Sequence, residues 1–343
     1  MEISETVAAI LSGERLALAR LLTQVENDTE KGRAMMDALF SHSGKAHLVG
    51  VTGSPGAGKS SLVNQLAREF RQPPAGRAAL KVAIVAVDPS SPFTGGAILG
   101  DRVRMRDLAG DPGIFIRSMA SRGALGGLAR ATAGVVQVLD AAGFDIILIE
   151  TVGAGQSEVD IARLAHTTIV VEAPGMGDDI QAIKAGILEI ADILVINKAD
   201  QPGVEVTERA LRANLELAHP SQQVFRSAFG VEIKGAAAEE AWQPPVLRTI
   251  APEGTGILQV AEAVFAHRNF LRNSGEWRLR DAARLDSELF HLLQATLMAD
   301  WQESISSGEF EAMFDQLLSR RVSPNQAVAA LLAGYTKPWQ QHG

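Results

Sequence analysis

The chain has no cysteine among its 343 residues. Disulfides, thiolate metal sites and cysteine nucleophiles are therefore excluded, and a cytoplasmic location is expected. It also lacks any run of the roughly 18 apolar residues that a membrane-spanning helix requires, so no membrane partner is expected. Glu2 and Glu5 arrive before any basic residue, which is not how a secretory leader begins. The seven histidines show no metal-ligand spacing. A basic excess is missing too. The formal net charge is −8, the wrong sign for a chain that grips nucleic acid. There is no internal repeat and no low-complexity tract.

What remains is the composition of an ordinary globular protein, long enough for a large core: 46% apolar and 21% charged. Residues 4–42 have helical spacing, with Ile10, Leu16, Leu18, Leu21 and Leu22 recurring among Ala, Arg and Glu. Short apolar runs then alternate with helix-like stretches. Strands are expected at Ala46–Thr52, Lys81–Val87, Gly113–Ser118, Phe144–Ile149, Thr167–Glu172, Ile193–Ile196 and Val246–Ile250. Helices are expected near 59–70, 101–109, 124–142, 157–165, 178–191 and 204–218. Nearly unbroken apolar strands separated by helices imply an α/β fold, a mainly parallel sheet covered on both faces. From about 257 onward the chain reads helical. Ser323 is placed to cap a last helix with Pro324 at its first position.

Gly53-Ser54-Pro55-Gly56-Ala57-Gly58-Lys59-Ser60 matches the phosphate-loop pattern GxxxxGK[ST], between an expected strand and an expected helix. Gly56 and Gly58 let backbone amides curve round a phosphate. Lys59 supplies a fixed charge between the β- and γ-phosphates, and the Ser60 hydroxyl is a ligand for Mg²⁺. The helix that starts near Lys59 aims its amides at the anion, and Ser61 is placed for the α-phosphate.

A phosphate loop does not choose between ATP and GTP. Asn197-Lys198-Ala199-Asp200 ends a later strand and does choose. Guanine presents N1–H and an exocyclic amine on one edge, and the Asp200 carboxylate accepts both. Adenine has an acceptor there and would face an unpaired buried oxygen. Asn197 either contacts the base or braces the neighbouring loop, and the stem of Lys198 can lie over the purine. The Ala251 amide is a candidate donor to guanine O6, with Ser227-Ala228 as a competing choice.

Three carboxylates stand where metal and water chemistry need them. Asp88 and Glu150 end strands, and strand C-termini face the ligand crevice in such sheets. Asp101 follows the loop Pro89–Gly100. Each is a candidate for holding Mg²⁺ or orienting the attacking water. Glu150-Thr151-Val152-Gly153 takes the place of the usual DxxG, so the Gly153 amide is a candidate γ-phosphate sensor, with Gln156 as a weaker candidate for water. The loop Pro89–Gly96 is a candidate lid or first switch.

Together these stretches resemble one family. GSPGAGKSS (53–61), VDPSSPFTGGAILGDRVRM (87–105), SRGALGGLA (121–129), ETVGAGQSE (150–158) and NKAD (197–200) are similar to the MeaB/ArgK GTPases, which serve adenosylcobalamin-dependent acyl-CoA mutases, chiefly methylmalonyl-CoA mutase. The resemblance covers most of the chain, and its two long middle motifs are far more specific than the phosphate loop. It implies a G-protein metallochaperone that uses GTP/GDP and Mg²⁺ to gate cofactor delivery to the mutase and to protect it. It implies an N-terminal helical extension (1–44), a GTPase domain (45–272) and a C-terminal helical dimerisation arm (273–343). It also implies homodimers, with the mutase and its adenosyltransferase as partners. Lys184 falls in a segment that acts as a further switch in that family. Two positions depart from the family pattern: Ile250 stands where a small hydroxyl residue is usual, and Ala97 where serine is common. A nickel-insertion GTPase is the competing function, but it would carry a His- or Cys-rich segment that is absent here. A nucleotide-dead interaction protein would have lost Lys59, Ser60 or Asp200, and all are intact.

Overall fold

The computed structural model describes residues 3–73, 76–88, 105–108, 110–120, 127–151, 157–175, 189–217 and 242–333. The chain divides into two compact units, Met1–Leu285 and Asp286–Gly343.

In the first unit, seven described strands form one sheet: β1 (His47–Gly53), β2 (Val82–Asp88), β3 (Ile114–Ala120), β4 (Ile146–Thr151), β5 (Thr167–Glu172), β6 (Ile193–Ile196) and β7 (Val246–Arg248). Their spatial order is β3-β2-β4-β1-β5-β6-β7, and each neighbouring pair is parallel. Parallel pairing demands crossovers, and helices supply them on both faces. β1, β4, β5 and β6 are buried along their whole length, which explains their unbroken apolar sequences. The strand order reverses beside β1, which has β4 on one side and β5 on the other. Open α/β sheets bind ligands at such a switch point.

Helix α4 (Lys59–Arg71) and the later α8 (Ile257–Ser274) pack on one face. There Leu62, Val63, Leu66 and Phe70 meet Val260, Ala261 and Val264 in a single core with Val49, Val51 and Leu148. The other face is covered by α5 (Gly127–Ala141) and α6 (Ser157–Leu164), and by the N-terminal helices α1 (Ile3–Leu11), α2 (Arg15–Glu26) and α3 (Glu30–Leu39). Ile10, Leu18, Leu21, Leu22, Met35 and Leu39 share that second core with Leu48, Val85, Ile147 and Ile149. The N-terminal helices are thus integral to the sheet's packing. Arg15 also reaches the outer side of β3, donating to the carbonyls of Pro112 at 3.0 Å and Ile114 at 2.6 Å. Arg117 on β3 pairs with Glu26 of α2. Asp140 near the end of α5 accepts the amides of Gly44, Lys45 and Ala46 and fixes the chain's entry into β1.

The expected helix over 101–109 differs. Residues 101–104 lie outside the described residues, and Arg106–Leu108 forms one 3₁₀ turn. The Pro89–Gly100 loop and residues 178–188 of the expected helix near 178–191 also lie outside them. Helix α7 (Val204–Leu217) packs against β6 and β7.

A buried polar cluster occupies the N-terminal end of the sheet, opposite the ligand crevice. Asp192, just before β6, receives both terminal nitrogens of Arg280 at 2.8 Å and the Thr168 amide at 2.8 Å. Arg280 lies near the start of α9 (Glu276–Ser304) and also donates to the His166 carbonyl. The Thr167 hydroxyl stands between His47 Nε2 at 2.7 Å and His267 Nδ1 at 2.9 Å. His166 stacks on Trp277 and meets Asp281. The root of α9 is therefore tied by hydrogen bonds to the starts of β1, β5 and β6.

In the second unit, the rest of α9 is followed by α10 (Ser307–Leu318) and α11 (Pro324–Ala333). Ser306 and Glu309 form a reciprocal capping box at the start of α10. Ser323 accepts the Gln326 amide at 3.3 Å at the start of α11, as its position before Pro324 predicts. Leu289, Phe290, Leu293, Met298, Phe314 and Leu318 are exposed. No described helix is long and apolar enough to cross a membrane.

Candidate nucleotide site

The phosphate loop runs from the end of β1 to the first turn of α4. Its shape rests on glycine at two places of close approach. Gly53 has φ +130°, and a Cβ there would lie 2.0 Å from the Val171 carbonyl of β5. Gly58 has φ +92°, and its Cβ would lie 2.3 Å from Asn197 Nδ2. Any side chain at either position would push the loop off its neighbours.

Lys59, only 6% exposed, turns back into the loop and donates to the carbonyls of Gly53 at 2.8 Å and Ser54 at 3.0 Å. These bonds hold the ammonium inside the ring of loop amides, where a phosphate would meet it. Ser60 donates to Glu150 Oε1 from the adjacent strand. The two oxygens therefore converge, and Glu150 is buried. A hydroxyl and a carboxylate are hard oxygen donors suited to Mg²⁺. Mg²⁺ takes few ligands from protein, the remainder coming from water and phosphate. The described residues contain no cage of three or more His, Cys, Asp or Glu side chains. When bound, Mg²⁺ neutralises charge on the β- and γ-phosphates.

The second end of the site is joined to the first by Asn197. Its Nδ2 donates to the Ala57 carbonyl at 2.8 Å. Its Oδ1 accepts from the Thr249 hydroxyl and the Ala251 amide, both at 3.0 Å. Of the two roles open to Asn197 in the sequence, the geometry is that of the brace. It pins the phosphate loop to the loop after β7. The Ala251 amide carries one hydrogen, already directed at Asn197, so a guanine O6 would compete with that oxygen. Lys198 takes a left-handed backbone, φ 57°, which turns the chain sharply out of β6. Asp200 is exposed two residues on. The Asn197–Ala57 bond places the NKAD turn beside the phosphate loop.

Asp88 closes β2 at the same edge of the sheet as Glu150. Asp101, Gly153, Gln156, Lys184 and Ser227-Ala228 lie outside the described residues, and Pro55, Gly56 and Ser61 lie in the loop and first turn of α4. One residue escaped the sequence reading. Glu172, buried at the end of β5, accepts the Ser54 hydroxyl at 2.7 Å, and its carbonyl accepts the Asn197 amide at 2.8 Å. The signal was available: it is a strand-end acid, the same rule that singled out Glu150.

Comparison with known proteins fits this geometry. The family model described as methylmalonyl-CoA mutase-associated GTPase MeaB matches residues 18–306. The chain belongs to the MeaB family. A putative GTPase of Pyrococcus abyssi is 42% identical over 330 residues, covering 96% of each chain. The GTPase ArgK of Escherichia coli is 38% identical over 277 residues, covering 80% of this chain and 78% of its own. Among solved structures, one described as an LAO/AO transport system kinase superposes with a TM-score of 0.64 at 26% identity, covering 96% of both chains. MeaB-family membership makes the crevice that of a P-loop GTPase, a GTP hydrolase using GTP/GDP and Mg²⁺.

The expectation that Asp200 reads the guanine base is directly testable in this MeaB-family chain. Asp200→Asn should weaken GTP about 10- to 100-fold, the loss of charge-assisted hydrogen bonds to N1–H and the amine. It should strengthen xanthosine triphosphate, whose C2 carbonyl accepts from the new amide. Competition titrations with the two nucleotides measure both changes; undiminished GTP preference would assign base reading to another group.

Proposed function

We propose that this protein is a GTP-driven chaperone of an adenosylcobalamin-dependent mutase of the methylmalonyl-CoA type. It gates delivery of the cofactor and protects the loaded enzyme. The observation that carries this reading is the match of residues 18–306 to a mutase-associated GTPase family, on a chain whose phosphate end and guanine end are bonded together through Asn197.

In this reading Lys59 and the loop amides hold the triphosphate, with Gly53, Pro55, Gly56, Ala57, Gly58 and Ser61 shaping the cradle. Ser60, Glu150, Asp88 and Asp101 serve the metal and the attacking water. Gly153 senses the γ-phosphate. Asp200 reads guanine, with Lys198 over the ring. Hydrolysis removes the γ-phosphate contacts and releases the segments that hold the mutase, the usual way a G protein converts chemistry into altered affinity. The exposed apolar side chains described within Asp286–Gly343 form the homodimer contact, since large apolar side chains left open to water favour burial against a like surface. The protein works in the cytoplasm.

The test is capture of purified candidate mutases by the full chain, loaded with GDP or with a non-hydrolysable GTP analogue. A complex whose affinity changes at least 10-fold between the two states is expected. No complex in either state with any adenosylcobalamin-dependent mutase would overturn the proposal.

A further inference from the structure

Away from the nucleotide crevice, the far ends of α4 and α8 and the segment leading into β2 enclose a cavity of about 370 Å³. That volume falls in the range of small-molecule sites. Its apolar wall includes Phe70 and Phe265, packed edge to face at 5.4 Å. Two guanidinium groups flank the same ring: Arg268 at 5.0 Å from the Phe265 centroid and Arg77 at 5.6 Å. Asn269 adds an amide, and Glu69 is the one carboxylate of the lining among the described residues.

Neither arginine is well compensated. Arg268 has no ion pair among the described residues, and its buried Nε finds no hydrogen-bond partner. Burial lowers the Arg268 pKa from its ordinary value, and the charge of Arg272 lowers it further, with Asp145 opposing. Arg77 meets Glu262 only at 3.8 Å, with both side chains half exposed, a geometry of little energetic consequence in water. An aromatic wall between two under-compensated guanidinium groups suits one chemistry. The apolar lining of Phe70, Leu80 and Ala261 takes a flat apolar body, and the arginines held beside Phe265 take an oxyanion, bidentate where geometry allows.

The geometry points to a second ligand site here, for a small organic anion: a phosphate or carboxylate carried on a flat apolar group. It is separate from the GTP site, because α4 and α8 present their first residues, Lys59 and Ile257, towards the nucleotide loops and their later turns to this cavity.

The experiment uses the full chain saturated with GDP and Mg²⁺, so that the phosphate loop is filled before the probe is added. A prior GDP titration establishes that occupancy and tests the nucleotide site by itself. Calorimetry with 1-naphthyl phosphate should show saturable binding at one site. Inorganic phosphate should bind at least 10-fold more weakly, because it lacks the apolar body. Arg77→Gln and Arg268→Gln should each weaken the naphthyl phosphate at least 10-fold. Arg77 is half exposed, so its replacement tests the site even if the Arg268 variant folds poorly. Absence of saturable binding would overturn the assignment. So would equal affinity in wild type and Arg77→Gln, which would place the probe on an uncharged apolar surface.

Discussion

Replacing Lys59 with alanine is expected to abolish measurable GTP turnover and to weaken Mg²⁺–GTP by at least about 100-fold. The ammonium is buried within the phosphate loop, between the carbonyls of Gly53 and Ser54. In the proposed role it is the fixed positive charge of the cradle, and alanine would leave the γ-phosphate without it. Charge-assisted hydrogen bonds are worth roughly 1.5–3 kcal/mol each, and losing two of them gives a drop of this size. Lys59→Arg should fail nearly as badly. A planar guanidinium cannot enter a space shaped for a compact ammonium. Fluorescent-nucleotide titration measures affinity, and a phosphate-release assay measures turnover. Circular dichroism should show the fold unchanged. Turnover within threefold of wild type would remove Lys59 from the site.

The second large effect lies at the other end of the sheet. Arg280→Met should destabilise the first unit by about 3–5 kcal/mol, because it strands the Asp192 carboxylate, 1% exposed, without its bidentate partner. Removing both partners, as Asp192→Leu with Arg280→Met, should cost less than the single change, since no buried charge is then left alone. Urea denaturation of the three proteins checks the order.

The same cluster makes the fold acid-sensitive. Burial holds His47, His166 and His267 below the ordinary value of 6.5, and His267 is brought down to about 4. In the unfolded chain these imidazoles accept protons near 6.5. Below that pH the unfolded state binds more protons than the folded one, so stability falls as pH drops from about 6.5 towards 4. For His267 alone the full effect is of order 3 kcal/mol. Asp192 and Asp281 act lower still. Burial raises both, but Arg280 outweighs it at Asp192, and His166 and Arg284 outweigh it at Asp281, so both stay below the usual carboxylate range. Urea midpoints that do not move between pH 7.5 and 5 would contradict this account.

The sequence made the strands legible because parallel strands buried on both faces are nearly all apolar. Thr167–Glu172 and Ile193–Ile196 have the same limits in the structure as in the pattern. The phosphate loop and NKAD were legible because their chemistry permits few substitutes. Strand order was not, since every central strand reads alike and nothing in its periodicity says that β1 separates β4 from β5. The two roles open to Asn197 could be separated only by distances to Ala57, Thr249 and Ala251. The buried cluster was invisible for a similar reason. Nothing in the spacing of the histidines points to the tie between His47 and Thr167, 120 positions away. The start of α10 did carry a signal, Ser306 followed by Glu309, inside a stretch taken only as generally helical.

The contact between Arg15 and β3 bears on a margin of the sheet. Among the described residues, β3 is the last strand on its side of the sheet, and no described strand pairs with its outward peptide groups. Such a margin is a template on which another copy can add itself. Arg15 occupies the Ile114 carbonyl there, and α2 is fastened alongside by Glu26 and Arg117. A chain that began at β1 would keep every nucleotide-binding motif and still expose that margin. The helical preface thus covers part of an open sheet margin, a contribution independent of GTP.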